Sequence, residues 1–277
     1  MPATRARAAG FTLIEMVIVI TITGILAGAV AVFLRKPVQA YIDLARRTEM
    51  SDVADTALRR MSRDLHLALP NSLRSVAADA TCLEYLSSSD GGRYRAGAPG
   101  NAFDTGAALG ALDVLGPLST APVAGDLIAV YNLGIPGADA YNGDNTGTVG
   151  IGSTTSTILM SPAKQFPLAS PSNRFQVISG AEKAVFYACK NAGTDSAGNG
   201  TGTLYRMANY GINAAQPSVC PAMAANTPVV AQNVSACSFS YADGVAARSA
   251  LVSIRLAITK GGETVSFYQD VHVSNVP

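Results

Sequence analysis

The sequence predicts an α+β chain: a long N-terminal transmembrane and amphipathic α-helix packed on a mostly antiparallel, β-rich globular head. Three observations predict it. An apolar run fills Phe11 to Leu34, broken by one charge, Glu15. From Val38 to Ala68 apolar residues recur at helical spacing. After Pro70 the chain turns into short β-prone runs separated by Gly, Asn, Asp, Ser and Pro clusters. The boundaries that follow are a leader over residues 1–10, a transmembrane helix over 11–34, an amphipathic stem over 35–70 and a head over 71–277.

The leader, MPATRARAAG, carries only Arg5 and Arg7, which favour a cytoplasmic amino terminus. The apolar run that follows has twenty-four positions. As a helix it measures about 36 Å, enough to cross a hydrocarbon core of about 30 Å. Fourteen of its residues are Phe, Leu, Ile or Val. They favour insertion by about 4 to 8 kcal/mol, against at most about 3 kcal/mol for one carboxylate. The segment therefore inserts despite Glu15. A secretory signal peptide could be cut at Ala27-Gly28-Ala29 or Ala29-Val30-Ala31, but its apolar region would be shorter than this one. A plain anchor has no use for an acid near its start, because intramembrane carboxylates are costly and have partners. No cation lies within the run. Cleavage between Gly10 and Phe11 would create one: a new α-amino group four residues before Glu15.

Gly10 followed by Phe11-Thr12-Leu13-Ile14-Glu15 resembles the type IV prepilin signature. The resemblance implies cleavage at Gly10–Phe11 on the cytoplasmic face by prepilin peptidase, which also N-methylates Phe11. It further implies that the apolar helix packs in the core of a pilus or pseudopilus. There Glu15 would neutralise the amine of an adjacent subunit and set its axial register. Met16 stands where Leu or Val is commoner. Gly24 and Gly28 form a small-xxx-small pair that would let helices approach closely.

Pro37, after Arg35-Lys36, is expected to kink or restart the helix at the membrane exit. Beyond it Tyr41, Ile42, Ala45, Met50, Val53, Ala54, Ala57, Leu58, Met61, Leu65 and Ala68 form one apolar face, with roughly ten of the stem's side chains expected to be buried. Pro70 is expected to end it. Met50, Met61 and His66 read as packing or stripe-edge residues.

In the head, strands are expected at 82–86, 127–132, 157–160, 174–178, 183–189, 204–209, 229–234, 238–241, 251–259 and 265–273. The last two alternate cleanly around the turn Lys260-Gly261-Gly262-Glu263. The Gly/Asn-rich stretches 132–157 and 191–202 read as surface loops, and Arg93-Tyr94-Arg95 as a solvated strand edge. Cys82, Cys189, Cys220 and Cys237 have no CxxC spacing and read as disulfides of an oxidising compartment. Of the three pairings, Cys189 with Cys220 and Cys82 with Cys237 is expected.

Charged residues are only 14%, and the net charge of +1 falls near −1 without the leader's two arginines. No basic run suits a phosphate backbone, so nucleic acid is not an expected partner. Motifs of hydrolases, P-loop proteins and dinucleotide-binding enzymes are missing, so no catalytic residue and no enzyme is expected. No cofactor and no metal is expected either. Asp139, Asp144 and Asn145, or Asp195 and Asn199, could offer oxygens to Ca²⁺, but without the spacing of a known loop; turn formation accounts for both sets.

The body resembles the MshO family of MSHA pilus biogenesis proteins. The resemblance is carried by Gly10–Arg74, Gly91-Gly92-Arg93-Tyr94-Arg95, Asn173-Arg174-Phe175-Gln176-Val177, the stretch Val234–Tyr241 and the ending Val271–Pro277. It implies a low-abundance minor pilin of the inner membrane, single-pass with a periplasmic head, that helps start, assemble or cap a pilus. Its implied partners are prepilin peptidase, other minor and major pilins and the inner-membrane assembly platform. Two other readings compete: a large minor pseudopilin of a type II secretion system, and an adhesin at the pilus tip on the cell surface.

Overall fold

A computed structural model describes residues 10–76, 79–242 and 249–277. Most of the expected leader, including Arg5 and Arg7, lies outside the described residues. The chain divides into two compact units between Glu49 and Met50.

The single helix among the described residues, α1, spans Leu13–His66 and contains Pro37. In the first unit its apolar residues from Leu13 to Leu34 are all exposed. Here the expected stem face behaves differently from prediction: Val38, Tyr41, Ile42 and Ala45 are also exposed. Polar residues of that stretch pair locally instead, Gln39 and Arg46 both reaching Asp43. Burial begins at Met50 and continues through Ala54, Ala57, Leu58, Met61 and Leu65; with Ala68, Leu69 and Pro70 beyond the helix, nine stem residues are buried, close to the roughly ten expected. The helix stops at His66, short of Pro70, because Leu67 and Leu69 already bond to the sheet: the Leu67 carbonyl accepts from Ser88 N–H and the Leu69 N–H donates to the Leu86 carbonyl, both at 2.8 Å.

The second unit holds two sheets, every strand pair antiparallel. The first contains β1 (Arg74–Val76), β2 (Asp79–Leu86), β9 (Ala184–Lys190), β10 (Gly202–Ala208), β11 (Val229–Ala242), β12 (Ser249–Lys260) and β13 (Glu263–Ser274), in that spatial order. Inserted in sequence between β2 and β9 is the second sheet: β3 (Ser88–Tyr94), β4 (Leu109–Leu115), β5 (Leu127–Ala129), β6 (Thr146–Thr148), β7 (Thr157–Lys164) and β8 (Arg174–Ile178). Its order is β6-β5-β8-β3-β4-β7. A bridge between Val149 and Met160, with the Gly150 N–H donating to the Leu159 carbonyl at 2.8 Å, joins its two ends and closes it into a small barrel. The barrel interior is filled by residues such as Tyr94, Phe103, Leu112, Ile128, Phe166 and Phe175.

The part of α1 from Met50 onward, more than four turns, packs on one face of the first sheet. Met50, Leu58, Met61 and Leu65 meet Tyr85, Tyr187, Leu204, Phe239, Ile254 and Leu256 in one core. The period-two pattern explains this: on β12 Val252, Ile254, Leu256 and Ile258 are buried while Ser253, Arg255 and Ala257 face the other way. The hairpin expected at Lys260–Glu263 is present, with Gly261 and Gly262 both at positive φ.

Three expectations need correction. The two runs at 229–234 and 238–241 are one strand, β11, whose register shifts between Val234 and Ala236, beside Asn233 at φ 56°. The stretch 132–157 is not a surface loop throughout: Asn132 and Asn145 are wholly buried, and β6 lies within it. Nor is Arg93-Tyr94 a solvated edge, since β3 sits between β8 and β4 and buries Tyr94.

The disulfides are Cys82–Cys220 and Cys189–Cys237, not the expected pairing. The pleat decides it. Cys82 lies opposite Ala188 in the β2–β9 register, so Cys189, the next residue, points to the other face. Cys189 and Cys237 line the helix-side core, whereas Cys82 joins Val76, Phe186 and Cys220 on the far side.

Candidate functional site

The N-terminal residues form a compact helix start. Thr12 accepts the Glu15 N–H on its Oγ1 at 3.3 Å, and its own N–H donates to Glu15 Oε2 at 3.4 Å. This reciprocal arrangement is a capping box, satisfying two of the amides that a helix N-terminus leaves without partners. It also places a carboxylate at the positive end of the helix dipole, where negative charge is favoured. The pattern Thr-x-x-Glu was readable in the sequence, and the role of Thr12 is the functional detail that the sequence reading missed.

Gly10 and Phe11 precede the first turn and are exposed, Phe11 at 81%. A bond between them is thus open to a protease, and the amine it would release stands one residue before Thr12. Glu15, held on the first turn by Thr12, is likewise exposed rather than committed to the head. Farther along, the Thr21 hydroxyl donates to the Val17 and Ile18 carbonyls, both at 2.9 Å. A Cβ added to Gly24 or Gly28 meets nothing within 4 Å, so both glycines present open backbone. Gly28 belongs to a groove of about 660 Å³ with Ala29, Val32, Phe33, Lys36 and Pro37; Gly24 does not. The geometry thus brings Phe11, Thr12 and Glu15 together, and leaves the two glycines farther along the helix.

Residues 5–31 match the family model described as the prokaryotic N-terminal methylation motif. The chain carries a prepilin-type methylation motif. The motif supports a type IV pilin- or pseudopilin-like protein, and α1, which overlaps it, is long and apolar enough to cross a membrane. The motif implies processing by prepilin peptidase in a pilus-assembly context. Comparison with curated proteins and with solved structures returns no match.

In the head, the helix is fastened to the sheet by a polar cluster that the sequence did not disclose. Asp64 accepts from Tyr187 Oη at 2.8 Å, Tyr85 Oη at 3.3 Å and Arg206 Nε at 2.7 Å. Arg206 also makes a bidentate pair with Glu182, both bonds at 3.0 Å. Burial works against the Arg206 charge, yet the hydrogen bonds to Glu182 and Asp64 outweigh it and hold the guanidinium above its usual range. Burial, reinforced by Asp64, pushes both tyrosine hydroxyls well above theirs. On the opposite face Glu84, 1% exposed, takes Arg74 Nε and Tyr210 Oη at 2.6 Å each, while the Arg74 guanidinium lies 3.5 Å from the centre of the Tyr141 ring.

Of the oxygens considered for Ca²⁺, the carboxylates serve the backbone, while the buried Asn145 Oδ1 has no hydrogen-bond partner among the described residues. Asp144 accepts from Gly137 and Asp139 N–H, Asp139 from Tyr141 N–H, and Asp195 from Ala197 and Asn199 N–H. Lys164 donates to the Gly143 carbonyl at 2.7 Å, placing a cation beside the first set. Asn145 donates to Asn132 Oδ1, which also accepts the Ala140 N–H. Both sets act as turn formers.

Proposed function

We propose that this chain is a minor, low-abundance type IV pilin-like subunit that takes part in initiating, assembling or capping an MSHA-type pilus. The observation that carries the reading is the methylation motif over residues 5–31. Prepilin peptidase cuts between Gly10 and Phe11 and methylates the new amine. Until then Glu15 is held by Thr12 within its own chain. After cleavage the carboxylate has a cationic partner in a medium where one is needed, the amine of an adjacent subunit, and that pairing sets axial register. The exposed apolar face with Gly24 and Gly28 packs against neighbouring pilin helices in the inner membrane. A head of two sheets, far bulkier than one hairpin layer, suits a subunit that permits growth from one side only. The MSHA assignment rests on the resemblance of the body to the MshO family.

Deletion of the gene tests the assignment. The proposed role predicts loss of surface pili with protein secretion intact. Loss of secretion with pili retained would contradict it and favour the pseudopilus; pili that persist but no longer adhere would favour the tip adhesin.

A further inference from the structure

Each open β-sheet has edges whose free backbone groups invite pairing with another chain, and folded proteins blunt them by shortness, proline, bulges, inward charges or cover. In this head three of the four edges are dealt with. The barrel joins β6 to β7 through the Val149–Met160 bridge, which removes both of its edges. At the far side of the first sheet, β1 is three residues long, its register shifts between Ser75 and Val76, and Gln216 Nε2 caps the Ser75 carbonyl.

The fourth edge is β13, and beyond its first residue it has none of these devices among the described residues. It pairs with β12 at twelve consecutive positions without a register shift, contains no proline, and is the terminal strand of the sheet. Its inward positions are Glu263 at the turn, then Val265, Phe267, Gln269, Val271 and Val273, so the one inward charge sits at the turn end and the rest of the strand has none. Val271 and Val273 are buried, but Val265 and Phe267 are only partly so, leaving the core thinly covered at that end. On the outward side a trough of about 450 Å³ is floored by Ala236, Ala257 and Ser266 and walled by Arg255. No carboxylate among the described residues lies within ion-pair distance of Arg255; Asp270, on the same face, is engaged by Ser253 at 2.6 Å. Tyr268, opposite Arg255 in the register, is 60% exposed.

We infer that β13 is a docking edge for an extended segment of a second polypeptide, which adds to the sheet as an eighth strand. The unpaired ladder is complementary only to another extended backbone. The partner segment carries apolar residues at alternate positions, which complete the cover over Val265 and Phe267, and an acidic side chain on the other face that meets Arg255. This inference is independent of the pilus assignment.

The full chain in detergent micelles tests it with synthetic peptides of about nine residues, long enough for a typical strand. The probe alternates valine and threonine, with one central threonine replaced by glutamate. A second peptide has the same side chains but N-methylated amides, and a third carries lysine for glutamate. Binding of the first, with slowed hydrogen exchange at β13 amides, and no binding of the N-methylated peptide is the expected result; any other pattern overturns strand addition. Arg255→Glu, an exposed change that leaves the core intact, should weaken the glutamate peptide by about fivefold and reverse the preference toward the lysine peptide. An unchanged preference would overturn the acidic assignment.

Discussion

Arg206 and Asp64 show what single residues do in this head. Two carboxylates, one guanidinium and two phenols meet in one cluster between helix and sheet, and each is satisfied by another. Removing one member of such a set is costly, because the remainder stay desolvated without a partner. Arg206→Met should therefore destabilise the head by about 3 kcal/mol in denaturant unfolding, and combining it with Asp64→Asn should cost less than the sum of the two. Strict additivity would mean that the cluster is not coupled. The tyrosines give the pH dependence. Burial raises the hydroxyls of Tyr85, Tyr187, Tyr210 and Tyr141 above the ordinary value near 10. Phenol is the neutral form, so a raised value in the folded state contributes stability that is complete below about pH 10, the unfolded value. It is lost as pH climbs through 10 toward the folded values, by about 1.4 kcal/mol per pH unit for each tyrosine. Unfolding monitored together with tyrosinate absorbance should show these four phenols ionising only as the head unfolds, above pH 10. Ionisation of these four near pH 10 while the head stays folded would contradict this.

At the scale of elements, β-strands with strong alternation were legible, and those without it were not. β12 and β13 alternate over their whole length and emerged at nearly their observed positions. β3, Ser-Ser-Asp-Gly-Gly-Arg-Tyr, has turn-forming composition and becomes a strand only because β8 and β4 flank it. β1 and β6 are three residues long, below any periodic signal, and β4 interrupts its apolar residues with Gly110 and Asp113. The disulfides illustrate the same limit. Which cysteines share a face follows from the register of β2 on β9, which pairs distant segments and cannot be counted along the chain. Non-reducing peptide mapping should join Cys82 to Cys220 and Cys189 to Cys237. Because the first closes a separation of 138 residues and the second one of 48, chain entropy assigns them about 5 and about 4 kcal/mol. Replacing Cys82 and Cys220 by serine should thus lower the unfolding midpoint more than replacing Cys189 and Cys237. The reverse order would contradict the entropic ranking.

For the whole molecule, one end was far more legible than the other. The motif from Gly10 to Glu15 is local, so its chemistry could be reasoned from adjacent residues, and the structure adds how Thr12 holds the acid meanwhile. The barrel inserted between β2 and β9 was not legible, because its closure depends on one bridge between strands whose flanking segments look like loops. Nor did helical periodicity alone reveal where burial begins, since Val38, Tyr41, Ile42 and Ala45 continue the apolar pattern while remaining exposed. That exposed apolar length is consistent with a chain whose first unit is completed by lipid or by other helices rather than by its own head. The most direct measurement is the mass of the N-terminal peptide from membrane-extracted protein. A chain that begins with N-methyl-Phe11 is the predicted result; one that still carries residues 1–10, or that has been cut after the apolar run near Ala29, would contradict the account.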